Sequence, residues 1–213
     1  WIFNVLGAGD HHVYVTGGTF NFDINRQFWS NEAVVAETHY TVDNGDDTYT
    51  VKEGAEAYVA TGMLTGGWFY RKNIGYATLE EALAKAQEFV DPNVTLLKDV
   101  ELAESLTIEA GKEIILDLNG KVVSMEDASA KGAYAIKNNG NLTIKDTDTA
   151  GNGKITFKST TPDNNHGYAT STIGNGGHLT IENGIIENTT IGGASYAIDG
   201  IWHTGEASLT IND

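Results

Sequence analysis

The feature that most constrains the fold is an internal repeat in the second half of the chain. The tripeptide Leu-Thr-Ile occurs four times, at spacings of 36, 37 and 30 residues, starting at Leu106, Leu142, Leu179 and Leu209. In a β-strand the leucine and isoleucine of this tripeptide point to one face and the threonine to the other. Repeats of this length that bury one face against their neighbours are typical of solenoids.

Each repeat contains more than one strand pattern. A Tyr-Ala motif runs in phase with the tripeptide, and a further short strand follows it, as in Gly153–Phe157 and Gly184–Glu187. Gly and Asn turns separate these segments, in a chain with 25 Gly and only 2 Pro. Three short strands per repeat predict an all-β fold, a right-handed parallel β-helix. All four Leu-Thr-Ile segments are then expected to lie buried in one continuous parallel sheet.

Acidic or amide side chains follow the tripeptides. Asp146, Asn183 and Asp213 each come one residue after a Leu-Thr-Ile-x segment. Such side chains accept hydrogen bonds from their own turn. We therefore interpret them as turn residues rather than as metal or substrate ligands.

The N-terminal part of the chain has a different pattern. Residues 78–90 predict an amphipathic helix with Thr78 and Glu81 as a capping box, and this helix would cover the apolar end of the solenoid. Residues 1–77 predict a small β-rich connector module with a hairpin at 40–51. The solenoid itself is expected to span 78–213 and to be truncated at its C-terminus.

Several of these segments together carry a family resemblance. In order, they are Gly17–Phe20, Asp43–Val51, Tyr76–Leu83, Val94–Asp99 and Ile115–Gly120. The chain resembles large adhesin-like surface proteins of Gram-positive gut bacteria, which repeat a pectin-lyase-like β-helix joined by such connectors. The resemblance implies an extracellular location, attachment to the cell wall through other parts of the parent protein, and a display or binding role. Secreted immunoglobulin or another host protein, or a mucin glycan, would be the partner.

Charge and composition exclude other classes of partner. The net charge is −16 and the isoelectric point about 4.6, so nucleic acid and anionic membranes would be repelled. The sequence has no run of 18 apolar residues, which argues against membrane insertion. It also has no cysteine, so thiolate chemistry is excluded and an extracellular setting is favoured.

The pectin-lyase shape raises the question of catalysis. Lyases of this fold generally use a basic residue, yet the only arginines, Arg26 and Arg71, precede the predicted β-helix, and residues 159–213 contain no Lys or Arg. The segment Asn165–Gly167 matches only half of a hydrolase motif. We predict a protein that is not an enzyme and that uses no cofactor, with a polysaccharide lyase or hydrolase module as the alternative.

Metal binding is also disfavoured by the sequence. His11 and His12 are adjacent and point to opposite faces of a strand, and the other histidines are scattered. Asp43–Asp47 resembles a calcium loop without its distal glutamate and fits a hairpin turn better. No metal site is predicted.

Aromatic residues supply the candidate binding site. Trp202 and His203 fall in a loop of the last repeat, and three tyrosines are expected to form a ladder beside them: Tyr134, Tyr168 and Tyr196. Such a ladder next to an exposed tryptophan would hold a sugar ring or a protein loop. The same ladder would equally well only stabilise a structural stalk, and that alternative stays open.

Overall fold

The computed structural model describes residues 14–24, 35–61, 72–88, 93–127, 133–160, 170–190 and 198–212. These ranges contain eighteen β-strands and one α-helix, so the described part of the chain is an all-β structure. The helix, α1, spans Leu79–Ala86 and lies between β5 and β6. The strands are β1 (Gly18–Phe20), β2 (His39–Asp43), β3 (Tyr49–Glu53), β4 (Ala57–Thr61), β5 (Lys72–Tyr76), β6 (Asn93–Leu96), β7 (Val100–Leu102), β8 (Leu106–Ile108), β9 (Glu113–Asp117), β10 (Val122–Asp127), β11 (Ile136–Asn138), β12 (Asn141–Lys145), β13 (Lys154–Ser159), β14 (Thr170–Asn175), β15 (His178–Ile181), β16 (Ile185–Asn188), β17 (Ile198–His203) and β18 (Ser208–Ile211).

The strands form three sheets. The long sheet has ten strands in the order β1-β3-β2-β5-β4-β6-β9-β12-β15-β18. Sheet two contains β7, β10, β13 and β16, and sheet three contains β8, β11, β14 and β17. From β7 onward the chain enters sheet two, sheet three and the long sheet in turn, four times over. We call one such passage a circuit, and strands of successive circuits pair in parallel.

The connector strands extend the long sheet instead of forming a sheet of their own. The predicted hairpin is confirmed, because β2 and β3 pair antiparallel across a turn in which Gly45 and Asp47 have positive φ. The connector has its own apolar cluster, whereas Ala57 and Val59 of β4 belong to the larger cluster of the circuits. The boundary between 77 and 78 stays a prediction. Residues 62–71 of the connector lie outside the described residues.

Helix α1 begins as the sequence predicts. The hydroxyl of Thr78 accepts a hydrogen bond from the N–H of Glu81 at 3.2 Å, while the N–H of Leu79 donates to the Glu56 carboxylate at 3.1 Å. The apolar face of the helix is buried in the larger cluster, through Leu79, Ala82, Leu83 and Ala86.

The end of helix α1 is tied to the first circuit. The side-chain oxygen of Gln87 accepts a hydrogen bond from the N–H of Glu109 at 3.0 Å, and Lys112 donates to the Gln87 carbonyl at 2.8 Å. Phe89 and Val90, predicted on the same helix face, lie outside the described residues. Within the described ranges, no helix has the length and apolar character needed to cross a membrane.

Inward-facing side chains of the long sheet stack into two ladders. One ladder contains Ile114, Leu142 and Leu179, and the other contains Leu116, Ile144 and Ile181. None of these side chains is more than 6% exposed. Because burying a Leu or Ile side chain contributes about 1.5–3 kcal/mol, these ladders are a major source of stability for the circuits.

The prediction that all four Leu-Thr-Ile segments lie buried in one sheet is wrong in two ways. Leu106–Ile108 forms β8 of sheet three and pairs with β11, while the strand equivalent to Leu142–Ile144 in the preceding circuit is Ile114–Leu116. Alternation of apolar residues with threonine suits an inward-facing strand of any sheet, so it does not determine which sheet a strand joins. In β18, Leu209 is 39% and Ile211 64% exposed, because β18 is an edge strand that, among the described strands, pairs only with β15.

The turn role predicted for Asp146 is confirmed, because its carboxylate accepts a hydrogen bond from the N–H of Asp148 in its own turn at 3.2 Å. The Asp146 carboxylate is buried and accepts hydrogen bonds of 2.7 Å from the N–H groups of both Gly120 and Gly153. Asn183, one circuit later, donates to the Asp146 carbonyl at 2.9 Å and accepts from the Asp146 N–H. The Asp146 side chain thus closes a turn and also joins two circuits, whereas both hydrogen bonds of Asn183 join its circuit to the preceding one. Asp213 lies outside the described residues.

Candidate functional site

Three of the five predicted binding residues are described. The loop predicted for Trp202 and His203 is wrong: because this segment pairs with β14, both residues lie in β17, the edge strand of sheet three. Tyr134 lies two residues before β11 of the same sheet. Tyr168 and Tyr196 lie outside the described residues, so the tyrosine ladder stays a prediction.

Tyr134 and Trp202 are brought together on the outer face of sheet three. Gly174 of β14 pairs with Lys137 on one side and with Trp202 on the other. A Cβ at Gly174 would lie 2.9 Å from three ring atoms of Tyr134, so the tyrosine ring covers this glycine. Neighbouring strands are about 4.8 Å apart, so the glycine that the ring covers lies one strand spacing from Trp202. We call Tyr134, Gly174 and Trp202 the aromatic face.

Gly174 is the residue of this site that sequence reasoning missed. Its missing side chain provides the space into which the Tyr134 ring fits, and the covered glycine is itself buried. The available signal was a glycine among the outward-facing positions of sheet three, where Gly174 pairs with Lys137 on one side and with Trp202 on the other. That signal has meaning only once the strand register is known.

The indole of Trp202 is accessible. It is 40% exposed, which is unusual for the largest apolar side chain. An exposed indole offers a flat apolar surface with a polar edge, and such surfaces are well suited to saccharide rings and cationic groups. Lys137, also on the outer face, is exposed, and its positive charge would repel a cationic ligand at this site.

His203 does not share the aromatic face with Trp202. Successive strand residues point to opposite sides, and the Nδ1 of His203 lies 3.2 Å from the side-chain nitrogen of Asn175. The Asn175 oxygen already accepts hydrogen bonds from the Asn138 side chain at 2.8 Å and the Gly177 N–H at 3.3 Å. This orients the Asn175 amide so that its nitrogen donates, and the His203 Nδ1 therefore accepts.

Asn138 and Asn175 form a buried asparagine ladder between circuits. Asn138 also donates to the carbonyl of His178 at 2.9 Å, and Asn175 donates to the carbonyl of Ser208 at 2.9 Å. Each asparagine therefore links its own turn to the turn of the next circuit. His203 continues this ladder, which makes its role in the described structure a structural one.

The buried carboxylates are occupied by structural hydrogen bonds. Asp117 accepts from the N–H and the hydroxyl of Thr147, each at 3.0 Å, and Asp146 accepts from turn N–H groups as described above. Within the described ranges, no group of three or more His, Asp and Glu side chains is arranged to hold a metal ion. The predicted calcium-loop look-alike at 43–47 forms the hairpin turn, where the Gly45 N–H donates to Asp43 at 2.8 Å.

Tyr76 has the most strongly perturbed titration in the described residues. Burial, together with the nearby negative charge of Glu88, raises the pKa of Tyr76 to about 12. The phenol therefore stays protonated at neutral pH. It lies at the end of β5, in the connector part of the long sheet.

Comparison with known proteins adds no further constraint. No protein-family model, no curated protein and no solved structure shows significant similarity to this chain. Functional inference therefore depends on the geometry of the aromatic face and its surroundings.

Proposed function

We propose that this protein is a non-catalytic binding segment of a bacterial surface protein, and that its aromatic face binds a neutral glycan. The observation that carries the proposal is that the Tyr134 ring covers Gly174, and that Trp202 pairs with Gly174 from the adjacent strand and is exposed on the same outer sheet face. A sugar ring stacked on Trp202 would bury apolar area that now faces water.

We also propose that the circuits form a right-handed parallel β-helix. Four successive passages through the same three sheets support it, since each strand pairs in parallel with its equivalent one circuit away. Crossover connections between parallel strands of one sheet are right-handed in about 98% of cases. Helix α1 covers one end of this stack in the proposal, because its apolar face joins the same buried cluster.

An extracellular location is the setting that agrees best with the composition. The chain has no cysteine, and its strong negative charge favours a solvated, exposed surface. A long stack of circuits would make a stiff support that displays binding surfaces at a distance from the cell wall. This part of the proposal rests on the family resemblance and composition together.

Charge selects among possible ligands. The segment 159–213 has no Lys or Arg and six acidic residues, and sheet two neutralises its two nearby lysines through Lys154–Glu187 at 3.0 Å and Lys158–Glu126 at 2.8 Å. An anionic polysaccharide would therefore meet a mostly negative surface around the last circuits, where Lys137 is an exposed positive charge on the outer face of sheet three. A neutral glycan avoids this repulsion.

The proposal is tested by binding to an array that carries neutral and acidic glycans, with secreted immunoglobulin as a separate probe. We expect binding to neutral glycans that is insensitive to salt, and a loss of about 2 kcal/mol or more in Trp202→Ala, as for a central aromatic anchor. Ile185→Ala is the matched control, because Ile185 is also exposed in the last circuit but belongs to sheet two.

Three other results would contradict the proposal. Binding of immunoglobulin alone would move the protein to the class of protein receptors. Cleavage of polygalacturonate by the wild-type protein would identify it as an enzyme. A Trp202→Ala variant with a lower melting temperature and unchanged affinity would leave the aromatic face with a purely structural role in a stalk.

A further inference from the structure

A groove lies where the chain turns from sheet three into the long sheet. Its volume is about 360 Å³, and turns of successive circuits line it side by side. We call it the glycine groove. Its lining consists of Gly111, residues 139–141, residues 176–178, Glu206 and Ala207.

Part of the groove follows from the stacking of circuits alone. A Cβ at Gly140 would lie 2.4 Å from the Glu109 carbonyl oxygen, and a Cβ at Gly177 would lie 2.1 Å from the Gly140 carbonyl oxygen. These two positions require glycine because each turn packs directly on the turn before it. Their bare backbone by itself does not indicate a ligand.

Gly176 has no such structural reason. The nearest atoms to a Cβ at this position are the Asn139 side-chain oxygen at 3.4 Å and the Asn138 carbonyl oxygen at 3.6 Å, which are ordinary contacts. Its φ also lies outside the left-handed region. A larger residue would be tolerated here, and glycine keeps the groove open without being needed for the fold.

Unused hydrogen-bonding groups surround the opening. The side chains of Asn139, Asn141 and Glu206 make no hydrogen bond or ion pair with the described residues. The Nδ1 of His178 forms a hydrogen bond with the Ser208 hydroxyl at 2.5 Å. The other ring nitrogen, Nε2, is not part of this hydrogen bond. The rim therefore offers amide donors and acceptors, an imidazole nitrogen and a carboxylate.

This set of groups matches the chemistry of a saccharide. Hydroxyl groups both donate and accept, so they pair with amides, imidazole and carboxylate alike. No Lys or Arg is among the residues that line the groove, which disfavours phosphate, sulfate and uronate groups. Lys112 follows the lining residue Gly111 in the sequence, and its ammonium group donates a hydrogen bond to the Gln87 carbonyl at 2.8 Å.

The groove lies close to the aromatic face along the chain. Trp202 and Glu206 are four residues apart, a separation of at most about 14 Å for extended backbone. A short oligosaccharide is long enough to reach both surfaces. We infer that the glycine groove is a second subsite for the same neutral oligosaccharide whose first ring stacks on Trp202. This inference rests on the proposed function.

The test compares ligands of different length. Cellobiose and cellotetraose, and the corresponding N-acetylated chitin oligomers, are titrated into the wild-type protein and into Gly176→Leu by calorimetry. We expect wild type to bind the tetrasaccharide of one series at least tenfold more tightly than its disaccharide. In Gly176→Leu that gain is lost and disaccharide affinity is unchanged. Asn141→Ala, which adds no bulk, is expected to weaken only the tetrasaccharide, by about threefold to tenfold.

Each outcome decides between the two proposals. If Gly176→Leu and Asn141→Ala both keep the full tetrasaccharide affinity while Trp202→Ala loses it, the groove inference fails and the proposed function stands. If no tetrasaccharide binds more tightly than its disaccharide, the groove is not a subsite. If neither series binds wild type at all, the groove inference is overturned together with glycan binding. Should Gly176→Leu not fold, as judged by its melting temperature, Asn141→Ala alone decides.

Discussion

Replacement of Asn175 by alanine tests whether the asparagine ladder holds neighbouring circuits together. The Asn175 side chain is 1% exposed, and it takes part in four hydrogen bonds, with Asn138, Gly177, His203 and Ser208. Alanine removes all four. Three of them reach into the adjacent circuits, so the change acts on contacts between circuits as well as on one turn.

The expected magnitude follows from where the four partners lie. Asn138 is fully buried but keeps its second bond to the His178 carbonyl, and Gly177 loses its acceptor in a half-buried turn. His203 and Ser208 are exposed, so water replaces part of the hydrogen bonding that they lose. With about 0.5–1.5 kcal/mol for each hydrogen bond and more for a buried donor left unpaired, we expect a loss of about 2–4 kcal/mol.

The assay is urea unfolding combined with hydrogen exchange. Because each circuit contacts mainly its neighbours, the loss is expected to be local, with the largest decrease of amide protection in β17 and β18. Asn139→Ala is the matched control. Asn139 lies in the equivalent turn of the preceding circuit, and its side chain makes no hydrogen bond with the described residues. We therefore expect the free energy of unfolding to change by no more than about 0.5 kcal/mol. Equal losses in the two variants would refute the reasoning, as would a uniform loss of protection over the whole chain.

Three further predictions follow from the structure. Thr78→Ala should lower the free energy of unfolding by about 1 kcal/mol through the lost N-cap bond. Leu83→Ala should lower it by about 2–5 kcal/mol, because it leaves a cavity under α1. Equal and negligible losses in urea unfolding would show that the helix does not support the core. Gly140→Ala should prevent stacking of the second circuit, because its Cβ would lie 2.4 Å from the Glu109 carbonyl oxygen; a native melting temperature would contradict this. Tyr76 should titrate near pH 12 by ultraviolet absorbance. The stability that follows from its raised pKa is fully present below pH 10 and is lost as the pH rises through 12, whereas titration near pH 10 in the folded protein would contradict its burial.

Local chemistry was readable from the sequence. The N-cap at Thr78, the hairpin turn and the turn role of Asp146 each depend on interactions within a few residues, so their residue types identify them. The three-strand repeat was also readable, since the period of apolar residues and the Gly and Asn turns record the strand boundaries.

Strand partnership was not readable. Leu106–Ile108 has the same letters as Leu142–Ile144 and yet lies in another sheet. A strand's partners depend on how many residues each turn takes to reach the next sheet, and the turns in this chain differ in length. Likewise Leu209 and Ile211 match buried residues by pattern and are exposed at the sheet edge. The reason is that a side chain is buried only when a further strand packs beside its own.

The candidate site divides in the same way. The sequence by itself determined the candidate aromatic residues, Trp202 and the tyrosines, and a C-terminal segment without Lys or Arg. Only the tertiary structure decided that the ring of Tyr134 covers Gly174 next to Trp202 and that His203 faces the asparagine ladder. The physical reason is that these contacts join residues about 28 to 40 positions apart, and stacking of circuits in a specific register brings them within reach of one another.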